Sequence, residues 1–89
     1  MHYVYVLLSE KDSKFYIGYT QNLERRLKEH KRGETKSTKG RRPLRFIYAE
    51  IHNSKSDAKR REGYFKTSPG KSSLKQMLRD YLKDLEKVD

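Results

Sequence analysis

Two short runs of aromatic and β-branched residues, Tyr3 to Leu8 and Phe15 to Tyr19, stand on either side of a polar, turn-prone segment from Ser9 to Lys14. That arrangement predicts the two antiparallel strands of a hairpin. Side chains alternate across a strand, so Tyr3, Tyr5 and Leu7 share one face while Val4, Val6 and Leu8 share the other. Tyr16 and Gly18 likewise lie opposite Phe15, Ile17 and Tyr19. With the apolar sets turned toward one core, Tyr5 and Tyr16 emerge together on the reverse side. Gly18, between Tyr16 and Tyr19, leaves a gap that a backbone or a ligand can approach closely.

A helix is expected next, capped by Asn22 and running from Leu23 to Lys31. At about 100° per residue, Leu23 and Leu27 mark its inward stripe, with His30 nearly in line and Arg26 beside it. Arg25 falls on the far side. The segment from Lys31 to Arg45 lacks apolar periodicity and is dense in Lys31, Arg32, Lys36, Lys39, Arg41, Arg42 and Arg45. It reads as an exposed connection, with two interpretations open: a loop that grips phosphates and becomes ordered on DNA, or a solvated run of charge.

Leu44 to Ile51 alternates well enough for a third strand, with Phe46 and Tyr48 on one face and Ile47, Ala49 and Ile51 on the other. Pro43 stands just before it, where no ladder hydrogen bond is lost. A helix follows from Ser54 or Ser56 to about Lys66. Ala58, Glu62 and Phe65 recur at helical spacing, which places a carboxylate on the inward stripe. Such a group must be paired with a cation or bind a metal, and the spacing allows either. Gly63 in that helix implies tight packing or a kink.

Thr67 to Lys71 contains Pro69 and Gly70 and predicts a break. Ser73 and Gln76 then suggest a capping box, opening a final helix whose stripe is Leu74, Met77, Leu78, Tyr81, Leu82 and Leu85. As core, that stripe packs on the sheet and leaves the chain a monomer; the alternative is a dimer contact. The fold class expected is α+β: a small three-stranded antiparallel sheet flanked by helices, in the order β-β-α-β-α-α, with residues 1–89 forming one domain.

Composition bounds the partners. The formal net charge is +10, but from Ser72 onward Lys75, Arg79, Lys83 and Lys87 are balanced by Asp80, Asp84, Glu86 and Asp89. The whole excess therefore lies on the part of the chain that carries the hairpin, where a phosphate backbone is the natural partner. Solubility, or binding to anions without specificity, is the plainer interpretation of the same charge. There is no cysteine, which excludes disulfides and thiolate metal sites. No apolar run is long enough to span a membrane and no signal-peptide pattern is visible, so the expected location is the cytoplasm.

Tyr3, Val4 and Tyr5, then Tyr16, Ile17 and Gly18, followed by the helix Asn-Leu-Glu-Arg-Arg-Leu-Lys-Glu-His, resemble the GIY-YIG nuclease superfamily, most closely its small single-domain bacterial members. The resemblance covers nearly the whole chain. Tyr3 stands where the first motif has glycine, a substitution the small bacterial group tolerates. In that family two motif tyrosines, an arginine on the following helix and a glutamate on a later one form an active site that cuts phosphodiester bonds with one divalent metal ion. The resemblance thus implies a catalytic set of Tyr5, Tyr16, Arg26, His30 and Glu62. Glu62 would be the ligand of a single Mg²⁺ or Mn²⁺, and DNA the partner.

In those roles Arg26 holds the phosphate with its planar fork, Tyr5 and Tyr16 orient or deprotonate the water, with Tyr5 the favoured base, and His30 assists or fills space beneath Tyr16. Arg26, Lys31, Arg32, Lys36, Lys39, Arg41 and Arg42 are the expected DNA contacts. Together these imply a metal-dependent DNA endonuclease of DNA repair or recombination, selective for structure more than sequence because no separate targeting domain is visible, and relying on a partner protein for any targeting. The alternative is a DNA-binding module on the same scaffold, without strong chemistry.

Overall fold

A computed structural model describes residues 1–86. Three strands, β1 (His2–Ser9), β2 (Phe15–Thr20) and β3 (Leu44–His52), form one sheet in the order β2-β1-β3. Both pairings are antiparallel. Opposite Tyr5 in β2 is Gly18, and opposite Leu7 is Tyr16, so the predicted division of the hairpin into two faces holds residue by residue. The turn is fastened by Ser9, whose Oγ accepts from the N–H groups of Lys11 and Asp12 at 3.2 Å and donates to the Arg41 carbonyl at 2.7 Å.

The valine face carries the apolar core. Val4, Val6 and Ile17 pack against Ala58 and Phe65 of α3 (Lys55–Phe65) and Leu74 of α4 (Ser68–Met77), with Tyr48 edge-on to Phe65. The tyrosine face is covered by α1 (Leu23–Arg32) and a short α2 (Lys36–Lys39). Asn22 caps α1 by accepting from Arg25 N at 3.1 Å, and Gly33 ends it with a left-handed φ of 77°. Ser54 caps α3. No described helix is long and apolar enough to cross a membrane.

Four expectations change in detail. The Lys31 to Arg45 connection is structured, because α2 forms inside it and Arg41 and Arg42 tie its end down. In β3, a bulge between the partners of Val6 and Leu7 puts Tyr48 opposite Val6 and Phe46 opposite Leu7, so these two side chains serve opposite faces. The final helix starts at Ser68, where Thr67 caps Gly70 N at 3.1 Å and Pro69 sits in the first turn, needing no hydrogen-bond partner. Ser73 is therefore interior to a helix and caps nothing. That helix also breaks at Leu78, and α5 (Arg79–Leu85) contributes no fully buried residue. Leu74 is wholly buried and Leu78 is half-buried against the core, while Met77 and Tyr81 are exposed, so only part of the apolar stripe serves as core.

Glycines mark the tightest approaches. A Cβ on Gly70 would lie 1.8 Å from the Tyr64 carbonyl oxygen, so the α3–α4 corner closes only without a side chain there. At Gly63 a Cβ would meet nothing within 4 Å, which removes tight packing as its explanation.

Candidate active site

The central strand delivers Tyr5 to the middle of the tyrosine face, where it is 1% exposed. Its ring fills the space above Gly18: a Cβ at that glycine would stand 2.3 Å from the tyrosine Cζ and Oη. The gap foreseen at Gly18 is thus taken by a residue of the chain itself.

From there a buried hydrogen-bonded chain runs outward. Tyr5 Oη lies 2.7 Å from His30 Nε2, and His30 Nδ1 lies 2.7 Å from Thr38 Oγ1. In one proton arrangement the phenol donates to Nε2 and Nδ1–H donates to the threonine; in the other the direction reverses. Tyr16 joins from β2, its ring centroid 5.1 Å from that of His30 and 6.3 Å from that of Tyr5, with Ser37 Oγ donating to its hydroxyl at 3.4 Å. Unlike Tyr5, Tyr16 is only half-buried.

Arg26 stands at the edge of this cluster. Its side chain is 32% exposed, against 68% for Arg25, so the helix turns Arg26 toward the sheet. Glu29, one turn on, accepts from Arg26 Nη1 at 3.0 Å and steadies the guanidinium.

The electrostatics follow from burial. Desolvation pushes the Tyr5 phenol up to about 12, with Arg26 opposing and Tyr16 adding to the rise. It also pushes His30 down to about 4, helped by the Arg26 charge. Around neutral pH the pair is therefore a phenol and a neutral imidazole. Tyr5 is held in the protonated form, which opposes using it as a ready-made base.

Glu62 is placed differently. It lies on α3, the helix covering the valine face, and it is 8% exposed. Lys59 Nζ approaches Oε1 at 2.8 Å and Lys66 Nζ approaches Oε2 at 3.1 Å. Burial alone would raise its pKa, but the hydrogen bonds from the two lysines outweigh it and hold the carboxyl below its ordinary value. Among the described residues no hydrogen bond or ion pair joins it to Tyr5, Tyr16, Arg26 or His30, and no group of three His, Cys, Asp or Glu could hold a metal. An ionised oxygen donor of this kind fits a hard cation whose remaining ligands are water and substrate phosphate, and does not fit a cation caged by protein alone.

The basic residues divide by what they already touch. Lys31, Lys36 and Lys39 are exposed, and none has a carboxylate partner among the described residues. Arg32 lies 3.8 Å from Glu34. Arg41 is engaged with Asp12 at 2.8 Å and with the carbonyls of Lys14 and Phe15, so it clamps the hairpin turn to the β3 entrance. Its guanidinium, together with the Lys14 N–H, holds the Asp12 carboxyl well below the usual range. Arg42 lies over Gly33 and donates to the Lys39 and Lys31 carbonyls at 3.2 and 3.4 Å, joining the ends of α1 and α2.

Two contributors are missing from the sequence-based set. Thr38 had no local signal, although a buried histidine needs a partner on each ring nitrogen. Glu29 did have one, since it stands at i+3 from Arg26 on a helix.

Comparison with known proteins agrees with this architecture. Residues 1–76 match the family described as the GIY-YIG catalytic domain. The UPF0213 protein of Staphylococcus haemolyticus is 44% identical over 77 residues, covering 85% of this chain and 93% of that protein. A UPF0213 protein of Natronomonas pharaonis is 49% identical over 67 residues, 74% of this chain and 78% of the relative. The solution NMR structure of a UPF0213 protein from Bacillus halodurans has a TM-score of 0.55 and 38% identity, covering 85% of this chain and 83% of that one. With the motif tyrosines on adjacent strands and the arginine on the following helix, these matches place the chain in the GIY-YIG nuclease family, among the small UPF0213 proteins.

Proposed function

We propose that this protein is a divalent-metal-dependent DNA endonuclease, selective for DNA structure more than for sequence. The observation that carries the reading is the convergence of Arg26, Tyr16 and the Tyr5–His30 pair on one face, beside cations that have no carboxylate partner. Phosphodiester hydrolysis needs an oriented water, neutralisation of the phosphate and help for the leaving oxygen. Arg26, steadied by Glu29, offers its planar fork to the phosphate, which a lysine cannot imitate. Tyr16, the more accessible tyrosine, orients the water. Tyr5 and His30 form the rigid, hydrogen-bonded floor on which Tyr16 and Arg26 keep their places. Glu62 would hold one Mg²⁺ or Mn²⁺, which when bound supplies positive charge to the phosphate oxygens. Lys31, Lys36 and Lys39 supply attraction to the backbone, so affinity falls steeply with salt.

Purified protein is incubated with branched, nicked, single-stranded and duplex DNA, with and without Mg²⁺. Glu62→Gln is expected to abolish cleavage with melting temperature and DNA affinity nearly unchanged, Arg26→Ala to abolish cleavage and weaken the phosphate contact, and Arg25→Ala to cleave like the parent with at most a small loss of affinity. Equal losses at Arg25 and Arg26 would overturn the placement of the arginine. The pairing of both Glu62 oxygens with lysines favours a second reading, a DNA-binding module in which that carboxylate is structural. On that reading no variant cleaves, nor does the parent, and Glu62→Gln loses stability instead.

A further inference from the structure

Beside the tyrosine cluster, on the same face of the sheet, a cavity of about 670 Å³ lies between α1, α2 and the start of β3. Its volume is that of a site for a small organic ligand. Leu7, Leu27, Leu44 and Phe46 give it an apolar floor, and Lys11, Lys31, Lys39 and Arg42 surround it. No carboxylate lines it, and none of those four cations has an ion-pair partner among the described residues. Phe46 is 47% exposed, an unusual state for a phenyl ring on an inner face. The bulge in β3 is what turns it there. His30 forms part of the wall, and the same imidazole touches Tyr5 and Tyr16 on its other side.

We propose that this cavity takes one unpaired nucleotide of a nucleic-acid strand, its base against Phe46 and its phosphates on Lys31, Lys39 and Arg42. An apolar, aromatic floor inside a cationic rim matches a flat heterocycle that carries an anion. An acidic peptide would satisfy the rim and leave the phenyl ring uncovered. Because His30 is shared, a nucleotide held here lies next to the position where Arg26 and Tyr16 meet a phosphate. The pocket is thus a selector for strands containing unpaired bases. The inference deepens the nucleic-acid reading above and depends on it.

The test is equilibrium binding of fluorescein-labelled oligothymidylate and of a blunt duplex of the same length, with metal removed by chelation so that cleavage plays no part. Phe46→Ala is expected to weaken the single strand roughly tenfold and the duplex less than twofold, with the salt dependence unaltered, because stacking releases no counterions. Phe46→Leu, which keeps apolar bulk without an aromatic face, should behave like the alanine variant. Ile51→Ala, exposed on the same face of the same strand but outside the cavity, should bind both like the parent. Lys31→Glu combined with Lys39→Glu should weaken both ligands and flatten the salt dependence. Equal losses on single strand and duplex at Phe46, no loss at all, competition by poly-glutamate as effective as by unlabelled oligothymidylate, or thymidine monophosphate binding as tightly as the strand would each overturn the proposal. A parent that binds as described but never cleaves would remove the nuclease reading and leave the pocket standing.

Discussion

The two faces of the sheet are made by the same three strands and are both covered by helices, yet they are held together in different ways. On the valine face Val4, Val6 and Ile17 meet Ala58, Phe65 and Leu74, and the contacts are apolar. On the tyrosine face Leu7 is buried as well, but the centre is polar: Tyr5, His30 and Thr38, joined end to end by hydrogen bonds. Apolar packing is non-directional and tolerates exchange of one shape for a similar one. A buried polar chain loses its value as soon as one member is unsatisfied. The contrast shows how alternation along a strand lets a small domain place Tyr5 and Tyr16 on a different surface from its apolar core, although Glu62 is carried by the helix on the apolar side.

The largest expected effect tests the stabilising side. Phe65→Ala should lower stability by about 3 to 5 kcal/mol, the usual range for removing a buried ring, seen as a large fall in melting temperature. Where the variant is still folded, its nucleic-acid affinity should match the parent's; a selective loss of affinity would mean that the two faces are not separate.

Gly18→Ala tests the other side. The added methyl cannot coexist with the Tyr5 ring, which must leave His30, at a cost of roughly 1 to 3 kcal/mol for the orphaned buried groups. On the nuclease reading the displaced floor should reduce cleavage about a hundredfold or more. Cleavage at the parent's rate would show that the Tyr5 position is irrelevant to chemistry.

Acid should act through the tyrosine face as well. The folded state holds His30 down at about 4, below the ordinary value of about 6.5, so between those limits the unfolded chain binds the extra proton. Stability is therefore fully present above pH 6.5 and declines as pH falls toward 4, by up to ~3 kcal/mol. The comparison that isolates the effect is parent against His30→Gln, whose melting temperature should be lower at pH 7 and should fall less over that interval. Parallel curves would show that the imidazole is not buried as described.

Gly63→Ala carries the smallest effect and should be neutral to both faces. With open space at the Cβ position of an exposed helical site, it should raise stability by about 0.5 to 1 kcal/mol, measurable by chemical denaturation. Destabilisation would indicate that the helix needs flexibility there.

How much of this could be read in advance depended on the range of the interactions. The faces of β1 and β2, the Asn22 cap and the inward turn of Arg26 are local consequences of period and were legible from neighbouring residues. The break at Leu78 and the start at Thr67 were less so. Ser73 with Gln76 offers as good a local cap as Thr67 does, and the fit of Gly70 under the Tyr64 carbonyl decides between them. Thr38 and the Arg41–Asp12 clamp join residues far apart in the chain, and no periodicity announces such pairs. The β3 bulge was hidden for another reason: the sequence from Leu44 to Ile51 alternates smoothly, and only pairing with β1 shows where one residue is left over.

That extra residue gives β3 something like a reading frame. Leu44 to Phe46 are in phase with the nucleotide-sized cavity, and Tyr48 to His52 are in phase with the apolar core, with Ile47 as the shift between them. Deleting Ile47 would leave Phe46 and Tyr48 as neighbours that ordinary alternation keeps on opposite faces; deleting any other residue of β3 rephases part of the strand, so side chains must turn to the wrong side. Among relatives, length changes should therefore accumulate in the segment around α2 and, within β3, be confined to the bulge at Ile47, a constraint on insertions and deletions that no inventory of contacts would reveal.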